Sequence, residues 1–281
     1  MAIHLQKNAY GKNAINLSKV IRHPDHHEIR HLSVDIALEG DFEAAHTAGD
    51  NSSILPTDTM KNTVYAFARQ HLTASIEAFG LILAGHFLEH NPPVCDVRIT
   101  LTEYCWKRLL VEGIPHPYAF INGGSEKHIA IVSKSRQNLL LSAGIDDLLI
   151  LKTTDSGFEG YIRDQYTTLK ETADRILSTS CNIRWDYDRA PEDPDATYNA
   201  IRQDLLRSFA WHKSLSVQHT LYAMGESVLR AFPEVTTITL QMPNKHHILF
   251  NLQPFGLDNN NEVFIATDEP YGLISGTVSR S

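Results

Sequence analysis

Cysteine is scarce in this sequence of 281 residues, which contains only Cys95, Cys105 and Cys181 and no Cys-x-x-Cys spacing. An odd number of widely separated cysteines indicates neither a disulfide framework nor a thiolate zinc site. Basic residues are also in the minority, since 25 Lys and Arg stand against 33 Asp and Glu, which gives a formal charge of −8 with His neutral. This balance argues against nucleic acid as a partner.

Long hydrophobic runs are absent as well. The most apolar stretch, from Leu139 to Leu151, is interrupted by Asp146 and Asp147 and is shorter than the ~20 residues that a membrane-spanning helix needs. The first residues lack the apolar region of a secretory signal. The final Ser279-Arg280-Ser281 departs from the Ser-Lys-Leu peroxisomal address. The sequence therefore predicts a cytoplasmic protein without a membrane partner.

What is present is ordinary globular composition. Hydrophobic residues make up 42% of the chain and charged residues 21%, so disordered and low-complexity classes are excluded. At roughly 100–200 residues per domain, this length suits two domains. We predict an N-terminal domain over residues 1–137 and a C-terminal domain over 138–281.

Hydrophobic periodicity gives the same order of elements twice. In the first half, period-2 alternation over Val34–Leu38 and Val97–Leu101 and a further apolar run over His128–Val132 predict strands. The spacing of apolar residues over Thr59–His71 and from Ile76 to Phe87 predicts two helices. The second half has strand patterns within 139–151, 183–187, 238–242, 263–265 and 273–278, and helices between about Tyr198 and Phe232. The order strand, strand, helix, helix, strand, strand is an internal repeat of pattern.

This order predicts an α+β fold in which each half is an antiparallel four-stranded sheet with two helices on one face. Such sheets keep open edges, and pairing the edges between subunits into a barrel is one way to protect them.

The segment from Leu55 to Thr63 leads through Pro56 into a helix. Thr57, Asp58 or Thr59 can act as an ordinary N-cap. Alternatively, the free amides and the positive dipole end can hold an anionic, acceptor-rich ligand, with the Thr57 hydroxyl available to pass a proton.

Two further groups of residues admit two interpretations. Asn244 and His246 are spaced to share one face of a strand while Lys245 points away, which pairs an amide with an imidazole, although a lone His is more often structural. His23, His26, His27 and His31 lie in an apparent hairpin loop between Val20 and Leu32. A metal site there is disfavoured because the motif His-Glu-x-x-His is missing and 15 His make clusters common.

Several segments, taken in order, resemble the urate oxidase (uricase) family of the tunnelling-fold superfamily over almost the whole chain. They are Tyr10-Gly11-Lys12, Gly40-Asp41-Phe42, Gly49-Asp50-Asn51-Ser52, Pro56-Thr57-Asp58-Thr59, Lys61-Asn62-Thr63-Val64-Tyr65, residues 163–172, Asp174-Arg175-Ile176-Leu177, Ser216-Val217-Gln218 and Pro243-Asn244-Lys245-His246. The resemblance implies two tandem tunnelling-fold domains and a homotetramer around a central tunnel. It also implies oxidation of urate by O2 to 5-hydroxyisourate and hydrogen peroxide, without metal or organic cofactor.

Residue by residue, the resemblance implies a proton relay and a substrate clamp. Lys12, Thr57 and His246 match the relay. Arg175 and Gln218 match the clamp on one edge of the purine, and local sequence alone would make Arg175 a surface ion-pair residue and Gln218 an incidental helix residue. The remaining matches are Phe158 beneath the ring, the Thr57 and Asp58 amides at the opposite edge, and Val217 and Asn244 beside and above the substrate. The resemblance also implies that Lys12, Thr57 and Asp58 come from one subunit and the other site residues from another.

Two other functions compete with the oxidase. One is another tunnelling-fold enzyme acting on pterins or purines, but the zinc-dependent cyclohydrolases of that fold need Cys and His ligands, which this spacing does not favour. The other is a purine-binding protein without activity. Intact Lys12, Thr57, His246, Arg175 and Gln218 weigh against it.

Overall fold

A computed structural model describes residues 3–280, and its elements follow the predicted order. The first half contains β1 (Tyr10–Arg22), β2 (His27–Gly40), α1 (Glu43–Thr47), α2 (Thr57–His71), α3 (Ile76–His90), β3 (Val94–Val111) and β4 (Ile114–Ser135). The second contains β5 (Leu139–Lys152), β6 (Leu177–Tyr187), α4 (Pro194–Trp211), α5 (Val217–Ala231), β7 (Val235–Leu249), a 3-10 turn (Gln253–Phe255) and β8 (Phe264–Ser279). The strands form an eight-stranded sheet in chain order, so the predicted α+β fold is confirmed.

The chain divides into two compact units. The first contains the chain through Gly144 together with Asp186–Tyr198, and the second contains Ile145–Trp185 and the chain from Asn199 onward. The predicted domain boundary between residues 137 and 138 falls in the connection between β4 and β5 and stays a prediction. No helix within residues 3–280 is long and apolar enough to cross a membrane.

In the first unit the core forms where the alternating strands meet the helices. β2 pairs antiparallel with β1 and β3, and its register places Val34 opposite Leu101 and Ile36 opposite Ile99. All four of these side chains are fully buried, because alternate residues of a strand face the same side of the sheet. α3 packs on β3 and β4 and α2 packs on β1. Their buried apolar residues include Met60, Val64, Phe79, Leu83 and Phe87.

The second unit repeats this arrangement. Ile238, Leu240 and Met242 are buried on β7, and α5 packs its apolar face on β7 and β8. The two separate strand patterns predicted at 263–265 and 273–278 belong to one strand, β8, whose pairing with β7 is irregular between them. The turn between β1 and β2 is also shorter than predicted, because His27 and His31 lie within β2.

A buried ion network lies in the core of the first unit. The Arg30 guanidinium donates to both carboxylate oxygens of Glu103, at 2.5 and 3.0 Å, and lies 3.5 Å from an oxygen of Asp195. Burial alone would lower the pKa of Arg30, but the hydrogen bonds and charge of Glu103 raise it above its ordinary value. Nearby, Nε2 of His128 is 2.8 Å from the fully buried Glu77. These contacts anchor the 186–198 segment in the first unit.

Replacing Arg30 by Met should lower the free energy of unfolding by about 3–5 kcal/mol, because it would leave Glu103 as an uncompensated, mostly buried charge. Urea denaturation followed by circular dichroism measures this. The control is Arg230→Met, since Arg230 forms an exposed ion pair with Glu226 one helical turn away. That substitution should change stability by about 0.5 kcal/mol or less. Equal effects of the two substitutions would contradict the importance assigned to the network.

Candidate active site

The backbone around Lys12 is held tightly against β2. A Cβ on the preceding Gly11 would lie 1.7 Å from the carbonyl oxygen of Ile36, so only glycine fits there. After Lys12 the strand bulges: Ala14 has a φ of +55°, and its N–H donates to Asp35 Oδ1 at 2.6 Å. A bulge redirects the side chains beside it, so the position of Lys12 is determined by backbone contacts on both sides.

The entrance to α2 is fixed by the same strand. Thr57 is the first residue of α2, and Pro56 precedes it. The N–H of Leu55 donates to the phenolic oxygen of Tyr10 at 2.8 Å, and the Tyr10 ring packs edge-on against Phe42 with 4.8 Å between ring centroids. Because Tyr10 lies two residues before Lys12 on β1, it links the helix entrance to the strand that carries Lys12.

The amides at the start of α2 lack the side-chain cap that the other long helices have. Ser75 caps α3, Asp193 caps α4 and Ser216 caps α5, each accepting from a first-turn N–H at 3.0–3.1 Å. At the corresponding position of α2 stands Pro56, and no side chain within residues 3–280 caps this helix. The N-cap role considered for Thr57, Asp58 or Thr59 is therefore wrong, and the first-turn amides lack a capping acceptor.

The Asp58 carboxylate is turned to its own helix instead. It accepts from Lys61 Nζ at 2.5 Å and from Asn62 Nδ2 at 2.9 Å. Its pKa lies below the ordinary value, chiefly because of the hydrogen bond and charge of Lys61, with Lys12 as a further cause. Lys12 thus lies near the α2 entrance, where Thr57 is half-buried. The first unit brings these three predicted residues into one neighbourhood.

In the second unit, Arg175 lies over an aromatic ring. Its Cζ is 5.4 Å from the centroid of Phe158, whose ring stacks on Tyr161 at 4.8 Å. The Nε of Arg175 is buried and has no hydrogen-bond partner among the residues that the structure describes. Burial lowers the pKa of this guanidinium, but an Arg stays charged. Arg175 forms no ion pair with the residues that the structure describes, in contrast to the surface ion pair considered for it, and a cation with an unused donor is held beside a planar ring.

Backbone pairing holds the Phe158 segment in place. Phe158 and Thr172 exchange backbone hydrogen bonds at 2.8 and 3.2 Å, and the N–H of Gly157 donates to the carbonyl of Ser214 at 2.8 Å. A Cβ on Gly157 would lie 3.0 Å from the carbonyl oxygens of Thr172 and Ala173, closer than such atoms normally come. The ring and the arginine are thereby held on adjacent, mutually bonded segments.

The start of α5 is connected to this segment through Ser214. Two residues later Ser216 caps α5, and Val217 and Gln218 are its first two residues. Val217 is buried, and Gln218 is exposed, so its amide is available to a ligand. Phe158 and the first residues of α5, which are predicted to contact substrate, are therefore linked by the backbone hydrogen bond between Gly157 and Ser214.

Asn244 and His246 lie on β7, as predicted. Both are half-buried, and the β7–β8 pairing is interrupted between them. Lys245 donates to Asp268 of β8 at 2.7 Å. No contact of Asn244 or His246 with another predicted site residue is described, so their place in the site stays a prediction.

Residue patterns did not indicate the roles of three residues near the predicted site. Tyr10 connects β1 to the α2 entrance, and Tyr161 supports the Phe158 ring while its hydroxyl donates to the carbonyl of Leu169 at 2.7 Å. Asp174 accepts from Thr154 Oγ1 at 2.9 Å beside the Phe158 segment. Tyr10 lies in the motif Tyr10-Gly11-Lys12, and Asp174 directly precedes Arg175 in another motif. Their position in these motifs is the sequence signal that could have indicated them.

Comparison with known proteins identifies the family. The sequence model of the family described as Uricase matches residues 8–133 and 141–275. This chain belongs to the uricase family. The uricase of Arthrobacter globiformis is 47% identical over 98% of this chain and 90% of its own length, and that of Oryctolagus cuniculus is 36% identical over 99% and 95%. A crystal structure of the Arthrobacter globiformis uricase covers the whole chain with a TM-score of 0.94 at 46% identity, over 96% of the solved chain.

The family membership confirms the resemblance, the tandem tunnelling-fold architecture and the predicted enzyme class, an oxidoreductase that acts on urate. The two units divide the predicted site: the first holds Lys12, Thr57 and Asp58, and the second holds Phe158, Arg175, Val217, Gln218, Asn244 and His246.

Replacing Tyr10 by Phe should reduce the turnover number for urate by about tenfold or more, because the Leu55 N–H would lose its acceptor and the α2 entrance would shift relative to Lys12. Steady-state loss of urate absorbance measures the rate. Tyr65→Phe is the matched control, since the Tyr65 hydroxyl also joins α2 to β1, by donating to Asn16 at 3.2 Å away from the helix entrance. Unchanged turnover in Tyr10→Phe would remove this positioning role.

Proposed function

We propose that this chain oxidises urate by O2 to 5-hydroxyisourate and hydrogen peroxide, using Lys12, Thr57 and His246 as a proton relay and no metal or organic cofactor. The observation that carries the proposal is Arg175, whose buried Nε has no acceptor within the described part of the chain while its guanidinium lies over Phe158. A charged fork beside an aromatic face is suited to a flat anion with hydrogen-bond acceptors along its edge. Urate, a planar monoanion near neutral pH, is such a ligand.

The substrate would be held at both edges. Arg175 and Gln218 would bind one edge, and the uncapped amides of Thr57 and Asp58 would bind the other, where the helix dipole favours negative charge. Phe158 would lie beneath the ring. Val217 and Asn244 would stand beside and above it, where O2 or water is held.

The reaction balances without a bound cofactor. Proton removal by the relay makes the purine electron-rich enough to give two electrons to O2, which takes up two protons and becomes hydrogen peroxide. A water oxygen then adds to the oxidised ring carbon and yields 5-hydroxyisourate. A neutral imidazole carries one donor and one acceptor nitrogen, which suits His246 as a relay member. The Thr57 hydroxyl both donates and accepts, so it can pass a proton between Lys12 and His246.

We further propose that the active protein is a cytoplasmic homotetramer whose sites are shared between subunits. β1 and β8 are the two ends of the strand order, and an open sheet edge favours pairing with another chain. Lys12 lies on the edge strand β1. Closing the sheets into a barrel would let one subunit supply Lys12, Thr57 and Asp58 and another supply Phe158, Arg175, Val217, Gln218, Asn244 and His246.

The first test is turnover by stripped protein. After exhaustive chelation, with the metal content measured by elemental analysis, the pure protein should consume urate and release one hydrogen peroxide per urate at the rate of untreated protein, because the substrate itself supplies the reducing electrons. Activity that disappears with the metal and returns when it is added back would overturn the cofactor-free mechanism.

The second test is complementation between two inactive variants. Lys12→Ala should lose turnover, and Arg175→Ala should lose urate binding because it removes charge-assisted contacts. Co-expressed with different tags, they should form mixed oligomers with activity above either parent, since some shared sites combine two intact halves. In the control, Lys12→Ala is co-expressed with Arg163→Ala instead of Arg175→Ala. Arg163 is the matched arginine because it is exposed and lies over Tyr161 rather than Phe158. Mixed oligomers as inactive as both parents would place the whole site within one subunit.

A further inference from the structure

The turn between β1 and β2 brings two imidazoles and a carboxylate to one point. The backbone N–H of His23 donates to the carbonyl of His26 at 2.9 Å, which closes the turn. Nε2 of His23 lies 2.7 Å from Oε1 of Glu28, and Nε2 of His26 lies 3.8 Å from that same oxygen. The ligand-type atoms of the three residues all lie within 4.8 Å of one another. The Nε2 atoms of both rings thus lie on the same carboxylate oxygen, Oε1 of Glu28.

We propose that His23, His26 and Glu28 bind a divalent transition-metal ion of the zinc class, with water completing a tetrahedral shell. Two imidazoles and one carboxylate are a donor set that suits Zn²⁺. With metal–ligand bonds of about 2.0–2.2 Å, neighbouring ligands in a tetrahedron are about 3.3–3.6 Å apart. The distances of 2.7 and 3.8 Å bracket this separation. The two imidazole rings stack with 4.4 Å between their centroids, so binding would rotate them out of the stack until both Nε2 lone pairs point at the ion.

A neighbouring carboxylate prepares His26 for this role. Nδ1 of His26 donates to Asp25 Oδ1 at 2.8 Å. When Nδ1 carries the proton, Nε2 presents its lone pair to a metal, as in the carboxylate–histidine–metal arrangement. Asp25 and Glu28 together supply two negative charges, which match a divalent cation.

The other two histidines of the cluster have different contacts. The His27 ring lies beside Arg22 at 3.5 Å and against Tyr118 with 4.7 Å between ring centroids. His31 accepts from Trp106 Nε1 at 3.3 Å. The structure therefore separates the four histidines into a pair at the turn and a pair in packing contacts, a distinction that spacing alone does not make.

Isothermal titration of Zn²⁺ into the chelator-treated full chain tests the proposal. The titration uses a His90→Gln background, because His86 and His90 stack at 4.5 Å one turn apart on α3 and offer a competing chelate. One equivalent should bind per chain, and Mg²⁺ should not. His23→Gln and Glu28→Gln should each weaken binding more than tenfold, and Asp25→Asn should weaken it by about tenfold or more. His27→Gln is the matched control and should bind as the parent does.

Two further measurements test the metal site, by Co²⁺ absorption and by thermal unfolding. Visible absorption of Co²⁺ bound to the parent reports tetrahedral coordination without any substitution in the turn. Zn²⁺ should raise the unfolding temperature of the parent and of His27→Gln but not of His23→Gln, since only the native turn holds the ion. Failure to saturate near one equivalent, or equal weakening by His23→Gln and His27→Gln, would overturn the site. Urate turnover is not the readout, so this result is independent of the proposed reaction.

Discussion

The candidate site of the second unit depends on one arginine, Arg175, whose buried Nε has no acceptor among residues 3–280. Leaving a buried donor unpaired costs stability, so the surroundings must hold Arg175 against its tendency to turn to solvent. Phe158 contacts its guanidinium, Thr172 pairs with Phe158 on the segment leading to the arginine, and Gly157 bonds to Ser214 just before α5. The segments that carry the ring, the arginine and the α5 entrance therefore support one another.

In the first unit, the start of α2 also presents hydrogen-bond donors that no side chain among the described residues caps. Three of the four long helices begin with a Ser or Asp that satisfies a first-turn amide, whereas α2 begins after Pro56. Within the described part of the chain this difference is local, because α2 is otherwise an ordinary amphipathic helix with Met60 and Val64 buried against β1. A proline fixes the approach to the helix and offers no side-chain acceptor. The two halves therefore share one order of elements, while the first amides of α2 remain available to a ligand.

Sequence reasoning predicted elements that bury an apolar face, because burial imposes a period that can be read directly. The strand over Val34–Leu38 and the helix from Thr59 are of this kind. The helix α1, over Glu43–Thr47, was not predicted, since it buries none of its residues and so has no apolar stripe. At the site, the residue types at the α2 entrance and on β7 were visible, but the missing partner of Arg175 was not. Whether a donor is paired depends on contacts between segments distant in sequence, and local sequence leaves that open.

The two half-sites share one chemical property, and it bears on how they function. Lys12 and the α2 amides are donors, and Arg175 and the Gln218 amide also donate. The Arg175 Nε and the first amides of α2 can only donate, so they cannot pair with each other, and in the proposed shared site they stay unpaired unless something acceptor-rich lies between them. A planar purine anion with oxygens and nitrogens along both edges pairs with each side at once. In the proposed site these donors would favour an anionic substrate, and such a locally positive region would allow a chain with a net charge of −8 to bind an anion.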